Sequence, residues 1–266
     1  MSMKRFFYIA VAAVLLSSCS EFQKALKSED IKLKYDLAEK LYNEGNYKKA
    51  NRLFEQIVPQ YVGKPQGERV VYFHANAYYQ TKDYYLAAYQ FERFSKSYPK
   101  SDKAEEAAFL GAKSYYMLSP KYSVDQMETN TAVDKLQLFI NNYPDSEYVK
   151  EANQLVQELR TKLEKKDFEI AKQYNKIRYY KAAIKAFDNF LSNYPGTTFR
   201  EDAMYYRVLS SYNLAVNSVY EKMEERLNST KEAYNTLKRY YPDTKYTEET
   251  DKMMAVVEEE LQQFSK

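Results

Sequence analysis

The sequence predicts an all-α protein, built as an α-solenoid of about five helix pairs. Only five glycines and seven prolines occur in 266 residues, whereas a β-rich chain of this length needs many more turn formers. Charged residues make up 29% of the chain, which suits the solvent faces of amphipathic helices. A short stop pattern also follows amphipathic runs four times, and this recurrence indicates repeated units.

The chain begins with the pattern of a secretory signal peptide. Lys4 and Arg5 precede an apolar run over residues 6–16, and small residues then lead to the only cysteine, Cys19. The apolar run is too short to cross a bilayer as a helix of the mature protein. Residues 16–19 read LSSC and resemble a bacterial lipobox, in which the cysteine becomes the first mature residue and carries the lipid.

This resemblance implies that residues 1–18 are removed and that Cys19 anchors the protein. The alternative is an ordinary secreted protein whose signal peptide happens to contain a cysteine. Each buried acyl CH₂ contributes about 0.8 kcal/mol, so several chains on one cysteine hold a domain firmly at a membrane. Ser20 follows the cysteine where an inner-membrane retention signal would be Asp, so we expect an outer-membrane destination.

The mature chain is nearly neutral. Of the 40 basic residues, Lys4 and Arg5 fall in the signal peptide, which leaves 38 against 37 acidic residues and a net charge near +1. A balanced charge of this kind gives no indication of a nucleic-acid partner.

The repeated stop pattern is Tyr-Pro-x-Ser/Thr. Proline ends a helix, the Ser or Thr can cap the next one, and acidic residues then follow in its first turn. Alanines and large apolar residues recur at matching distances before the prolines, so small residues allow close helix crossings there. The stops and the alanines of the second helices are 98–101, 143–146, 194–197, 241–244, Ala50, Ala87, Ala132 and Ala183.

These features resemble the tetratricopeptide repeat. The amphipathic runs and their stops predict about eleven helices, with every proline at a junction. We expect residues 19–145 to form repeats 1–3, and residues 146–266 to form a long linking helix, repeats 4–5 and a capping helix. The linking helix is predicted over 146–176, and the capping helix over 246–264.

The sequence contains few residues that could form a catalytic site. His74 is the only histidine, and it takes a core-type position. With Cys19 lipidated no thiol remains, so a Cys-His pair and most zinc sites are excluded. We therefore expect no enzyme, no metal and no cofactor.

The first helix of each pair is expected to line the concave side of such an array. The repeat register predicts a tyrosine- and amide-rich binding groove in repeats one and two; the other interpretation is that these tyrosines only pack helices together. The predicted groove residues are Tyr35, Tyr42, Asn43, Arg69, Tyr72, Asn76, Tyr79 and Gln80. The same register predicts a basic face in repeat four, made of Lys165, Phe168, Lys172, Asn175 and Lys176.

Taken together, the lipobox, the long repeats, the Tyr-Pro stops and the segment 122–126 (YSVDQ) resemble the BamD family, lipoproteins of the outer-membrane β-barrel assembly machine. The resemblance implies a periplasm-facing scaffold. Its N-terminal repeats would receive unfolded outer-membrane proteins, and its C-terminal repeats would bind a barrel-forming, BamA-like partner. Arg200 is the nearest match to a basic residue that supports this partner interface in the family.

Two other functions remain open from the sequence. One is a periplasmic repeat protein that coordinates cell-wall synthesis, although such proteins usually carry a coiled coil. The other is a carbohydrate- or cell-wall-associated repeat lipoprotein acting as a binding module. Carbohydrate-binding lipoproteins commonly use tryptophan platforms, and tryptophan is absent here.

Overall fold

The computed structural model describes residues 21–264, apart from the side chain of Gln66. The signal segment and Cys19 lie outside the described residues. All regular structure within 21–264 is helical. The helices are α1 (21–27), α2 (Ile31–Asn43), α3 (Tyr47–Tyr61), α4 (Glu68–Gln80), α5 (Tyr84–Ser97), α6 (Ala104–Leu118), α7 (Met127–Asn142), α8 (Val149–Lys176), α9 (Tyr180–Asn193), α10 (Arg200–Val216), α11 (Tyr220–Tyr240) and α12 (Thr247–Gln262), with a 3₁₀ turn at Pro65–Gly67.

The helices pack as sequential pairs, which confirms the predicted fold class. The alanine predicted at each close crossing is fully buried, and so is a large apolar side chain one turn later. An alanine at this point lets the two backbones approach while the larger side chain fills the seam. These paired core residues are Ala50 with Phe54, Ala87 with Phe91, Ala132 with Leu136, and Ala183 with Phe187.

One proline departs from the expectation that every proline lies at a junction. Pro59 lies inside α3, which continues to Tyr61. Its ring is exposed and sits in the last turn of the helix, so the hydrogen bond that it cannot donate lies at the solvent side. The helix then closes normally, since the Val62 N–H donates to the Val58 carbonyl at 3.0 Å.

Two compact units are present. The first contains the described residues up to Pro120 together with Asp125–Leu159, and the second contains Lys121–Val124 together with the residues from Arg160 onward. The boundary therefore falls inside α8. The sequence-based division at 145/146 stays a prediction.

The Ser or Thr of the Tyr-Pro-x-Ser/Thr stop pattern also joins neighbouring repeats. The Ser101 hydroxyl accepts a hydrogen bond from the Lys103 N–H at 3.0 Å and donates one to the Glu68 carboxylate at 2.5 Å. Glu68 lies in the first turn of the preceding repeat's first helix, so one hydroxyl both shapes the turn and joins two repeats. The same hydroxyl–carboxylate contact recurs between Ser146 and Glu105 at 2.5 Å and between Thr244 and Glu201 at 2.6 Å.

Candidate functional site

The first helices of the N-terminal unit bring the predicted groove residues onto two adjacent helices, α2 and α4. The Tyr42 ring stacks on Phe73 at 4.2 Å between centroids. Its hydroxyl accepts a hydrogen bond from Asn76 Nδ2 at 2.5 Å, and Gln80 Nε2 donates to Asn76 Oδ1 at 3.2 Å. Three of the predicted residues thus form one connected network.

A second network lies nearer the start of these helices. Arg69 forms an ion pair with Glu39, and its guanidinium lies 5.0 Å from the centre of the Phe73 ring. Burial raises the pKa of Tyr35, and the hydrogen bond of its hydroxyl to Glu39 raises it further. The Arg69 side chain remains 60% exposed, so it can still contact a ligand.

Two of the predicted tyrosines mainly support the fold. Tyr72 is only 7% exposed, and its ring packs edge-on against Phe91 and Phe94. Burial raises the pKa of Tyr72, and a hydrogen bond to Glu106 adds to the rise. Tyr79 is half-buried, with its ring edge-on to Tyr84 at 5.5 Å. The surface available to a ligand therefore comes mostly from the other positions.

A third layer of this face lies on α6 and was not among the residues predicted from the sequence. Lys113 Nζ lies 2.6 Å from Glu151 Oε1, and the Tyr116 hydroxyl donates to Glu158 at 2.5 Å. That hydrogen bond, with burial, raises the pKa of Tyr116 to about 12. The repeat length could have identified these residues. Ala50 and Ala87 are 37 residues apart, and the residues 37 positions after Asn76 and Tyr79 are Lys113 and Tyr116.

Chemically, this face offers hydrogen bonds and aromatic edges. Asn43 and Gln80 are exposed amides that can pair with a peptide backbone. Over residues 21–264 no three His, Cys, Asp or Glu side chains come together as metal ligands. Nor does any helix in that range have the length and apolarity to cross a bilayer.

The predicted basic residues of the second unit lie in separate environments. Lys165 lies over the Tyr122 ring at 4.7 Å, and Lys172 lies over the Tyr206 ring at 5.3 Å. Lys176 is exposed.

Arg200 lies elsewhere in the second unit, over the Tyr240 ring at 5.0 Å, and its Nη1 donates to the Pro195 carbonyl at 3.0 Å. Phe168, expected on the basic face, is instead a core residue with 4% exposure. Its ring packs 6.1 Å from Phe187, so it belongs to the seam between α8 and α9.

The family model described as "Outer membrane lipoprotein", YfiO, matches residues 27–203 and 179–264. The chain belongs to the YfiO (BamD) family. A second model, the prokaryotic membrane lipoprotein lipid attachment site, matches residues 3–20 and includes Cys19. The protein is therefore an outer membrane lipoprotein, and its family is one of non-enzymatic scaffolds. The resemblance and the localisation inferred from the sequence are confirmed.

The chain matches no curated protein. Among solved structures, TPR-like repeats from a Podosopora anserina kinesin light chain are 16% identical over 79% of this chain and 96% of theirs, with a TM-score of 0.33. A computationally designed self-assembling cyclic homo-oligomer is 14% identical over 98% of this chain and 96% of its own, with a TM-score of 0.21.

Proposed function

We propose that this lipoprotein is a scaffold that helps to assemble and insert β-barrel proteins into the outer membrane. The observation that carries the proposal is family membership over residues 27–264, joined to a lipid attachment site that ends at residue 20. The lipid on Cys19 would hold the helical array at the membrane, facing the periplasm.

Client segments would bind the concave face of the N-terminal unit. An extended strand needs partners for its backbone N–H and C=O groups and flat surfaces for its alternate side chains. The exposed amides of Asn43 and Gln80 supply hydrogen-bond partners for the backbone. The partly exposed rings of Tyr35 and Tyr42 supply flat surfaces for the side chains. Arg69 adds a cation for a carboxylate. Asn76 completes the proposed contacts, while Tyr72 and Tyr79 would support the groove from the helix packing beneath it.

The barrel-forming partner would dock on the C-terminal unit. Lys165, Lys172, Lys176 and Arg200 form the proposed contact set, since cations on a folded surface complement an acidic partner domain. Because their aromatic contacts hold Lys165, Lys172 and Arg200 in place, these three lose less side-chain freedom on binding than free lysines would.

Purification of the native complex tests this function. The full-length lipoprotein, tagged at its C-terminus, is extracted from outer membranes in mild detergent. We expect an integral β-barrel protein to co-purify in near-stoichiometric amount. Isolation of the chain alone, or together with cell-wall glycan, would contradict the proposal and favour the carbohydrate-binding alternative.

A further inference from the structure

A second surface of the N-terminal unit lies between α5, α6 and α7, on the side formed by the second helices of the repeats. It contains a cleft of about 270 Å³. Its lining includes Ala108 and Ala112 of α6 and Leu138 and Phe139 of α7. Small-molecule pockets usually measure about 300–1,000 Å³. This smaller, mainly apolar cleft therefore suits one large side chain better than a cofactor.

Exposed aromatic side chains extend the cleft along α5. Tyr85 and Tyr89 are 73% and 53% exposed, and Leu138 on the opposite wall is 54% exposed. The α5 residues Tyr85, Tyr89, Glu92 and Lys96 follow the i, i+4, i+7, i+11 spacing of one helix stripe, so the tyrosines continue the wall of the cleft. Exposed apolar surface of this extent is typical of an interaction site.

The charges beside the cleft are not balanced. Glu92 is already engaged, because Lys135 Nζ lies 2.6 Å from its Oε1 and the Tyr115 hydroxyl also bonds to it. Arg93 lies over the Tyr89 ring at 5.6 Å. Within residues 21–264, no carboxylate lies within salt-bridge distance of Arg93 or Lys96. Lys96, which lines the cleft, is therefore an uncompensated positive charge on its rim, and Arg93 is a second one outside the cleft lining, beside Tyr89.

We propose that this cleft docks an acidic segment of a partner protein. One leucine- or phenylalanine-sized side chain would enter between Ala108 and Leu138, and neighbouring carboxylates would pair with Arg93 and Lys96. Tyrosine and arginine are the residues that most often dominate such interfaces. A membrane-binding surface usually presents about 4–8 Lys or Arg side chains. Two free cations around an apolar cleft favour a protein segment instead.

This surface is separate from the concave face proposed for clients and from the basic residues of the C-terminal unit. It can therefore be tested independently of the proposed function. The experiment is photo-crosslinking in native outer membranes, with p-benzoylphenylalanine incorporated in the full-length lipoprotein at Tyr89 or at Leu138. Adducts are identified, and the crosslinked segment is mapped, by mass spectrometry.

Two variants probe the two parts of the surface. Ala108→Leu fills the cleft, and Lys96→Glu reverses a rim charge without altering the core. Ala182→Leu and Lys48→Glu are matched controls at exposed positions away from the cleft. Far-UV circular dichroism checks that each variant is folded. If Ala108→Leu disturbs the packing of α6, Lys96→Glu still tests the proposal, because it changes only an exposed charge.

We expect both crosslinker positions to capture the same protein, through a segment with Asp or Glu beside a large apolar residue. Ala108→Leu should lower the adduct yield about tenfold, as loss of about 1.4 kcal/mol would produce. Lys96→Glu should lower it several-fold, and the two controls should leave it unchanged. Absence of an adduct, adducts only with lipid or with a second copy of this chain, or yields unchanged in both variants would overturn the proposal.

Discussion

His74 should make the stability of the N-terminal unit depend on pH. Its side chain is 3% exposed, its ring lies 4.8 Å from the Tyr78 ring, and neither ring nitrogen has a hydrogen-bond partner among residues 21–264. Burial lowers the pKa of His74 from 6.5 to about 4, with a smaller contribution from the Arg93 charge. The folded chain therefore holds this imidazole neutral over a range where the unfolded chain protonates it.

The sign follows from proton binding. Well above pH 6.5 neither state binds the proton, so His74 has almost no effect on the pH dependence of stability there. Between pH 6.5 and about 4 the unfolded state binds the proton and the folded state does not, so the free energy of unfolding falls as the pH falls. These two pKa values give a loss of about 2 kcal/mol at pH 5 relative to pH 7.5.

The assay is urea unfolding of residues 20–266 at pH 7.5 and pH 5, followed by far-UV circular dichroism, for the wild type and for His74→Leu. No second histidine contributes in this range, because the chain contains only one. We expect His74→Leu to remove most of the pH-dependent loss. The pH difference within each protein is compared, so a change in packing caused by leucine cancels. Equal pH dependence in both proteins would refute this reasoning.

Three further predictions concern the anchor, a helix crossing and the stop motif. Cys19→Ala should move the mature protein from the outer-membrane fraction to the soluble periplasmic fraction, with a mass lacking the acyl chains; retention at unchanged mass would contradict lipidation. Ala183→Phe should destabilise the fold by about 1–3 kcal/mol through overpacking, whereas the exposed neighbour variant Ala182→Phe should not, as read from thermal melting. Ser146→Ala should cost about 1–3 kcal/mol, because the Glu105 carboxylate loses its hydroxyl donor; an unchanged urea midpoint would show that the contact is unimportant.

The second helix of each repeat was the easier part to predict. It buries one stripe only, so an alanine and an aromatic four residues apart are sufficient to set its register. In α5 four of 14 residues are buried, and the predicted Ala87 and Phe91 are among them. The stop pattern was equally easy to predict. Its proline ends a helix, and the hydroxyl of the following Ser or Thr can cap the next helix.

The first helices were harder, for a physical reason. Each lies between two second helices and buries more of its circumference; in α4 seven of 13 residues are buried. A tyrosine near the concave side can therefore point into a seam, as Tyr72 does. Phe168 on α8 was likewise predicted at the surface, although its side chain is buried between helices. Side-chain direction at such borderline positions depends on the neighbouring repeats, which one helix's periodicity cannot show.

Pairings between distant side chains were also beyond the sequence. The ion pair of Arg69 with Glu39 and the hydrogen bond of Tyr116 with Glu158 join residues on different helices. Their sequence separations follow no local rule. The repeat step of 37 residues could have identified Lys113 and Tyr116 as members of the face, although not their partners.

Paired binding measurements test the proposed division of function between the two units. One variant combines Asn43→Ala, Arg69→Ala and Gln80→Ala; the other replaces Lys172, Lys176 and Arg200 with Gln. Affinity is measured for a C-terminal peptide of an outer-membrane protein and for the soluble domains of the co-purified barrel protein. We expect the first variant to lose peptide affinity and to keep the barrel partner. The second should keep the peptide and lose the partner, with a marked dependence on salt. The opposite pattern, or equal effects of both variants on both ligands, would contradict it.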